Sequence, residues 1–214
     1  MQLPDDALAF LRDVPAAPFC PLTPDDAAAA TVKLRTQAPL AEAMGLVVLN
    51  DTDDSNHYCL VTRGPGAGAV VFVPHDDSAA FAFPSLAALH DVMVRAEAEG
   101  TEIWDIEAAT PTPLADQPAL REHLGTLLAG DRADAANVVD MLLPLLDPED
   151  LATLRLLATD RDFLIRESAA RFMASAPRPS QVPLLELLVS DHYPQVARPA
   201  TAALGALGRP STPG

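Results

Sequence analysis

Basic side chains are scarce in this sequence: fourteen lysines and arginines stand against thirty aspartates and glutamates, a net charge of −16. A field of that sign repels phosphate backbones and anionic lipid surfaces, so neither nucleic acid nor a membrane is expected as a direct ligand. It attracts basic proteins. Cysteine is nearly absent too. Cys20 and Cys59 are the only two, and they stand in neither a CxxC nor a metal-ligand spacing, so we read them as reduced thiols in a reducing compartment. No apolar stretch approaches the roughly 18 residues of a membrane span. Met1 to Phe10 carry Asp5 and Asp6 instead of a basic, apolar leader. These absences predict a soluble, unexported, cytoplasmic protein.

The usual catalytic signatures are missing as well. There is no Gly-x-Ser-x-Gly elbow and no His-Glu-x-x-His pair. The run Arg63-Gly64-Pro65-Gly66-Ala67-Gly68 lacks the lysine and the following helix of a phosphate cradle. We therefore expect no enzyme, no catalytic residue and no cofactor.

What is present is apolar material. Hydrophobic residues make up 49% and charged residues 21% of 214, enough for a packed core and a domain of about 100 residues beside a smaller partner. Charge is unevenly shared between the halves. Residues 1–104 hold fifteen acidic and five basic side chains, whereas residues 105–214 hold fifteen and nine. The first half is the better surface for a basic partner.

Leu8 and Leu11 beside Ala7 and Phe10 predict a short helix that stops at Pro15. Residues 15–24, with four prolines, read as a loop, and Ala27 to Gln37 as a second helix behind Asp25 and Asp26. From Gly45 the texture turns β-prone: Leu46 to Leu49, His57 to Thr62 and Ala69 to Val73 are three short strands. The glycines of residues 63–68 permit a hairpin between the last two. Ser85 is a suitable N-cap for a helix that ends at Gly100. A hairpin between helices argues for an α+β domain over residues 1–106.

Residues 107–118 carry Pro111, Pro113 and Pro118 without apolar periodicity and form the expected linker. Trp104, with Ile103 and Ile106 beside it, is expected to pack the two halves together. Residues 119–214 read as helices throughout, at about 119–129, 133–146, 149–159, 163–175, 181–190 and 195–207. A weak repeat relates Leu154, Leu156, Leu157 and Asp160 to Leu185, Leu187, Leu188 and Asp191. With one residue inserted, it relates Arg166, Ser168, Ala170 and Phe172 to Arg198, Ala200, Ala202 and Leu204. Arg166 and Arg198 are expected to bridge neighbouring units.

Asp51, Asp53 and Ser55 alternate like the first ligands of a calcium loop. Asn56 stands where that loop needs glycine and Thr62 where it needs glutamate, so a hydrogen-bonded turn is expected in place of a metal site. His57 and His75 with Asp53, Asp76 and Asp77 could converge on a transition metal, but histidines on separate elements are more often structural. No metal is expected.

The turn Asp53-Asp54-Ser55-Asn56, the strand Gly68-Ala69-Val70-Val71-Phe72 ending in His75-Asp76, and the helix start Ser85-Leu86 come in an order that resembles the SUKH superfamily, of the Smi/Knr type. The resemblance covers roughly residues 3–100. It implies an α+β bacterial immunity module that neutralises a partner toxin by binding it. The C-terminal repeat is similar to HEAT units, which bind proteins. The expected partner is a basic toxin domain such as a nuclease, deaminase or nucleotide-modifying enzyme. The expected contact residues are Asp51, Asp53, Asp54, Asp76 and Asp77. The competing expectation is a regulatory scaffold that gathers cellular proteins.

Overall fold

A computed structural model describes residues 2–14, 19–50, 56–75, 79–103, 106, 112–130, 132 and 134–208. The chain divides into two compact units, Met1–Thr112 and Pro113–Gly214. The architecture is mixed: ten α-helices and one four-stranded antiparallel sheet among the described residues.

In the first unit, α1 (Asp5–Asp13) buries Ala7, Phe10 and Leu11 on one face, with Asp5 and Asp6 at its positive end. The next helix, α2 (Pro24–Gln37), begins three residues before the expected Ala27. Pro24 takes the first helical position, where its missing N–H costs nothing, and the Thr23 hydroxyl accepts from the Asp26 amide (3.3 Å). Pro39 ends α2 by forcing Ala38 into extended backbone, and the same proline opens a short helix, α3 (Pro39–Ala43), which carries no periodic signal of its own.

The strands are β1 (Val47–Val48), β2 (His57–Leu60), β3 (Val70–Val73) and β4 (Ala80–Phe83), hydrogen-bonded in chain order. The β2–β3 hairpin pairs His57 with Val73 and Leu60 with Val70. Gly64 and Gly68, at φ 76° and 92°, supply its turn. The edge strand β4 was missed, because alternating alanine and phenylalanine is a weak strand signal. It pairs with β3 through an irregularity at Val70 and Val71. After it comes α4 (Leu86–Glu99), capped by the Ser85 hydroxyl and stopped at Gly100, φ 65°.

One sheet face sets Val47, Tyr58, Leu60, Val70 and Phe83 against Phe10, Phe19, Leu89 and Met93. Tyr58 lies at the centre of an aromatic cluster, with ring centroids 5.6 Å from Phe19, 5.1 Å from Phe72 and 5.9 Å from Phe83. Near the other end of the sheet, α2 is tied to β1: buried Thr31 accepts from the Val48 amide (2.9 Å) and Arg35 donates to the Leu46 carbonyl (2.9 Å). Ile103 and Ile106 are buried in this same core, and Trp104, expected beside them as a plug, lies outside the described residues.

The second unit holds α5 (Gln117–Ala129), α6 (Ala135–Leu142), α7 (Leu151–Ala158), α8 (Phe163–Ser175), α9 (Val182–Val189) and α10 (Pro194–Ala206). No strand occurs among its described residues. α10 packs on α8 and α9, and α7 packs on α8 and α9. Both α9 and α10 begin 31 residues after α7 and α8, so no residue is inserted between the repeats. The expected equivalence of Arg166 with Arg198 is therefore shifted by one: Ala197 occupies the position of Arg166. Leu154 and Leu157, with Leu185 and Leu188, fill the matching core positions.

Candidate protein-binding site

The end of the sheet where β2 starts and β3 finishes is held by two asparagines. Asn50 is buried; its side-chain oxygen accepts from the Tyr58 amide (2.6 Å), and its carbonyl accepts from His57 Nδ1 (3.1 Å). It also bridges to Pro21. Asn56 accepts from the His75 amide through its side-chain oxygen (2.9 Å), joining the start of β2 to the residues after β3. Buried polar groups of this kind are kept only when paired, and here they fix where the backbone leaves the sheet.

Asp51, Asp53, Asp54, Asp76 and Asp77, expected as contact residues, lie outside the described residues, as does Ser55. Their neighbours in the chain, Asn50, Asn56 and His75, meet at one end of the sheet. The sequence showed Asn50 and Asn56 only as parts of a polar turn. An asparagine flanking each side of an Asp-rich turn, next to strands, was the available sign of their anchoring role.

His57 spends its Nδ1 on a backbone carbonyl. Among the described residues no group of three or more His, Cys, Asp or Glu side chains could hold a metal ion. Both cysteines are free, Cys20 exposed and Cys59 buried. Burial pushes the Cys59 thiol well above its ordinary value, and the Tyr58 hydroxyl in the same direction, so both stay protonated at neutral pH.

In the second unit, charge is largely consumed by pairs between successive helices. Arg121 holds Asp150 (2.9 Å), Arg132 holds Asp160, Arg166 holds Asp191 (2.6 Å), and Arg171 holds Asp140 (2.5 Å). The Arg166 bond holds the Asp191 carboxyl below its ordinary value against the opposing effect of burial. At Asp150 burial is the largest influence and pushes upward, but the bonds from Thr153 and Arg121 together outweigh it, so this carboxyl too is lowered. Arg166 thus bridges units as expected, whereas Arg198 is exposed and makes no ion pair among the described residues. Among the described residues no helix is long and apolar enough to cross a membrane.

No family model, curated protein or solved structure matches the chain.

Proposed function

We propose that this chain is a bacterial immunity protein that binds a basic toxin domain in the cytoplasm and neutralises it by occlusion. The observation that carries the reading is that Asn50, Asn56 and His75, the chain neighbours of the two acidic segments, are fixed at one end of the sheet, Asn50 by the Tyr58 amide and Asn56 by the His75 amide. The toxin presents to these aspartates the lysines and arginines that a nuclease, deaminase or nucleotide-modifying enzyme uses for its own anionic substrate. The net charge of −16 adds long-range attraction. The SUKH-like order of turn, strand and helix motifs supports the same reading, with the helical unit as a HEAT-like extension.

The test is growth of cells that express the toxin encoded by the neighbouring gene, with and without this chain, together with co-purification of the two proteins. Rescue with a stable complex supports the proposal. Survival unchanged by this protein would sink it.

A second reading, a regulatory scaffold, is favoured by one observation: the helix pairs repeat at 31 residues and present an exposed leucine at the same position, Leu156 and Leu187. Affinity capture that returns several unrelated partners supports that reading instead.

A further inference from the structure

Part of the second unit lacks the acidic excess of the chain as a whole. Residues 150–208 hold six acidic and six basic side chains in a chain of net charge −16. Along the edge where α7 turns into α8 and α9 into α10, two shallow depressions of about 420 Å³ each adjoin through Asp191 and His192. Ala158, Leu187 and Leu188 line one; Ala197 and Arg198 line the other.

The carboxylates along this groove are already neutralised, Asp160 by Arg132 and Asp191 by Arg166. Arg198 is not: it stands exposed with no ion pair among the described residues, because Ala197 fills the position from which Arg166 reaches its aspartate. The groove also presents apolar surface that the core does not use: Leu187, which lines it, is 47% exposed, although Leu188 beside it is buried. Arg166, which lines the same depression, has its guanidinium 5.8 Å from the ring centre of Tyr193, itself stacked on Phe163 at 4.3 Å. An exposed leucine beside an uncommitted cation suits a recognition surface.

We propose that this groove is a second docking site and that its occupant is an acidic segment of a partner protein. Such a segment sets a leucine or phenylalanine against Leu187 and a carboxylate against Arg198. Charge complementarity selects this occupant: a basic segment would meet an unpaired arginine. The inference does not depend on toxin neutralisation.

The experiment uses the full chain and a fluorescent, short helical peptide with leucines one turn apart among glutamates. A twin peptide carries lysine in place of every glutamate. The acidic peptide is expected to bind, to bind more weakly as salt rises, and to lose about tenfold in affinity with Arg198→Glu and with Leu187→Asp. Any binding of the lysine twin, to the acidic first unit, is expected to be unchanged by Arg198→Glu and Leu187→Asp. Thr201→Trp fills the second depression from an exposed position and weakens the acidic peptide alike, so the result does not rest on one variant folding. The proposal is overturned if the acidic peptide does not bind, if Arg198→Glu does not weaken it, or if Arg198→Glu weakens both peptides equally. It is also overturned if inorganic polyphosphate displaces the peptide from wild type and binds Leu187→Asp equally well, since that outcome is bare anion attraction.

Discussion

Arg166 and Asp191 join successive helix pairs through two parallel hydrogen bonds, Nε to Oδ2 at 2.6 Å and Nη2 to Oδ1 at 3.1 Å. Their side chains are 15% and 9% exposed, so water does little to screen the pair. Removing only the cation leaves a largely buried carboxylate without its counter-charge. We expect Arg166→Met to cost about 3 kcal/mol, near the low end for breaking a buried pair. Replacing both partners, Arg166→Met with Asp191→Leu, recovers most of that loss. Urea unfolding of the four proteins of this cycle checks it; a single variant as stable as wild type shows that the pair contributes nothing.

The same pairs set an acid limit. The carboxyls of Asp150 and Asp191 are held below their ordinary value of 3.8 in the folded chain. A lowered folded value means that the stabilisation is fully present above the ordinary value and is lost as pH falls through the folded one. Thermal unfolding from pH 6 down to pH 2 is expected to show wild type losing its advantage over Asp191→Asn below about pH 4. An advantage that persists unchanged at the acid end of that range contradicts the assignment.

Gly45 separates conformational strain from steric exclusion. Its φ is +61°, and a Cβ there would lie 2.5 Å from Thr62 Oγ1 and 2.8 Å from Arg63 Cγ. Thr62 is itself fixed by donating to the Gly45 carbonyl (2.6 Å), and Arg63 by bonding Glu42. Gly100 has a similar φ of +65° with open space around it. Gly45→Ala is therefore expected to destabilise by about 2–3 kcal/mol and Gly100→Ala by about 1 kcal/mol, the strain alone. Equal losses in denaturant unfolding contradict the steric argument.

How much of this was legible in the sequence follows from how local each signal is. The helices of the second unit were readable because their leucine periodicity is written within single turns, and Gly100 marked the end of α4 unaided. The start of α2 lies three residues before the sequence reading because Pro24 reads as a breaker, whereas it occupies the first helical position, which suits proline. β4 and the exact repeat offset were not readable. β4 exists because β3 offers it a ladder, and the offset of 31 depends on helix boundaries that a single degenerate repeat does not define. The acidic segments are legible as charge, but the hydrogen bonds of the residues beside them are not, since Asn50 meets Tyr58 and Asn56 meets His75 only after the hairpin forms.

Asn50 gives a stability test of that anchoring. Its side-chain oxygen is the acceptor for the buried Tyr58 amide, so Asn50→Ala leaves a buried donor unsatisfied and is expected to cost about 1–3 kcal/mol. An alanine variant as stable as wild type in chemical denaturation would show that the bond to Tyr58 does not hold this end of the sheet.

Salt separates the two units as binding surfaces. A toxin domain steered onto Asp53 and Asp54 feels a field that screening removes over about 10 Å at 0.1 M salt, so its association rate should fall steeply as ionic strength rises. Asp53→Lys with Asp54→Lys reverses charge where the partner is expected to be cationic, and should slow association by about tenfold or more while leaving dissociation less affected. Arg198→Glu, on the other unit, should leave that complex unchanged. Surface-based kinetics on the full chain at several salt concentrations reads all three. A salt-insensitive complex that survives the double lysine variant but is lost with Arg198→Glu would overturn the assignment to the acidic turns, and would place partner binding on the helical repeats.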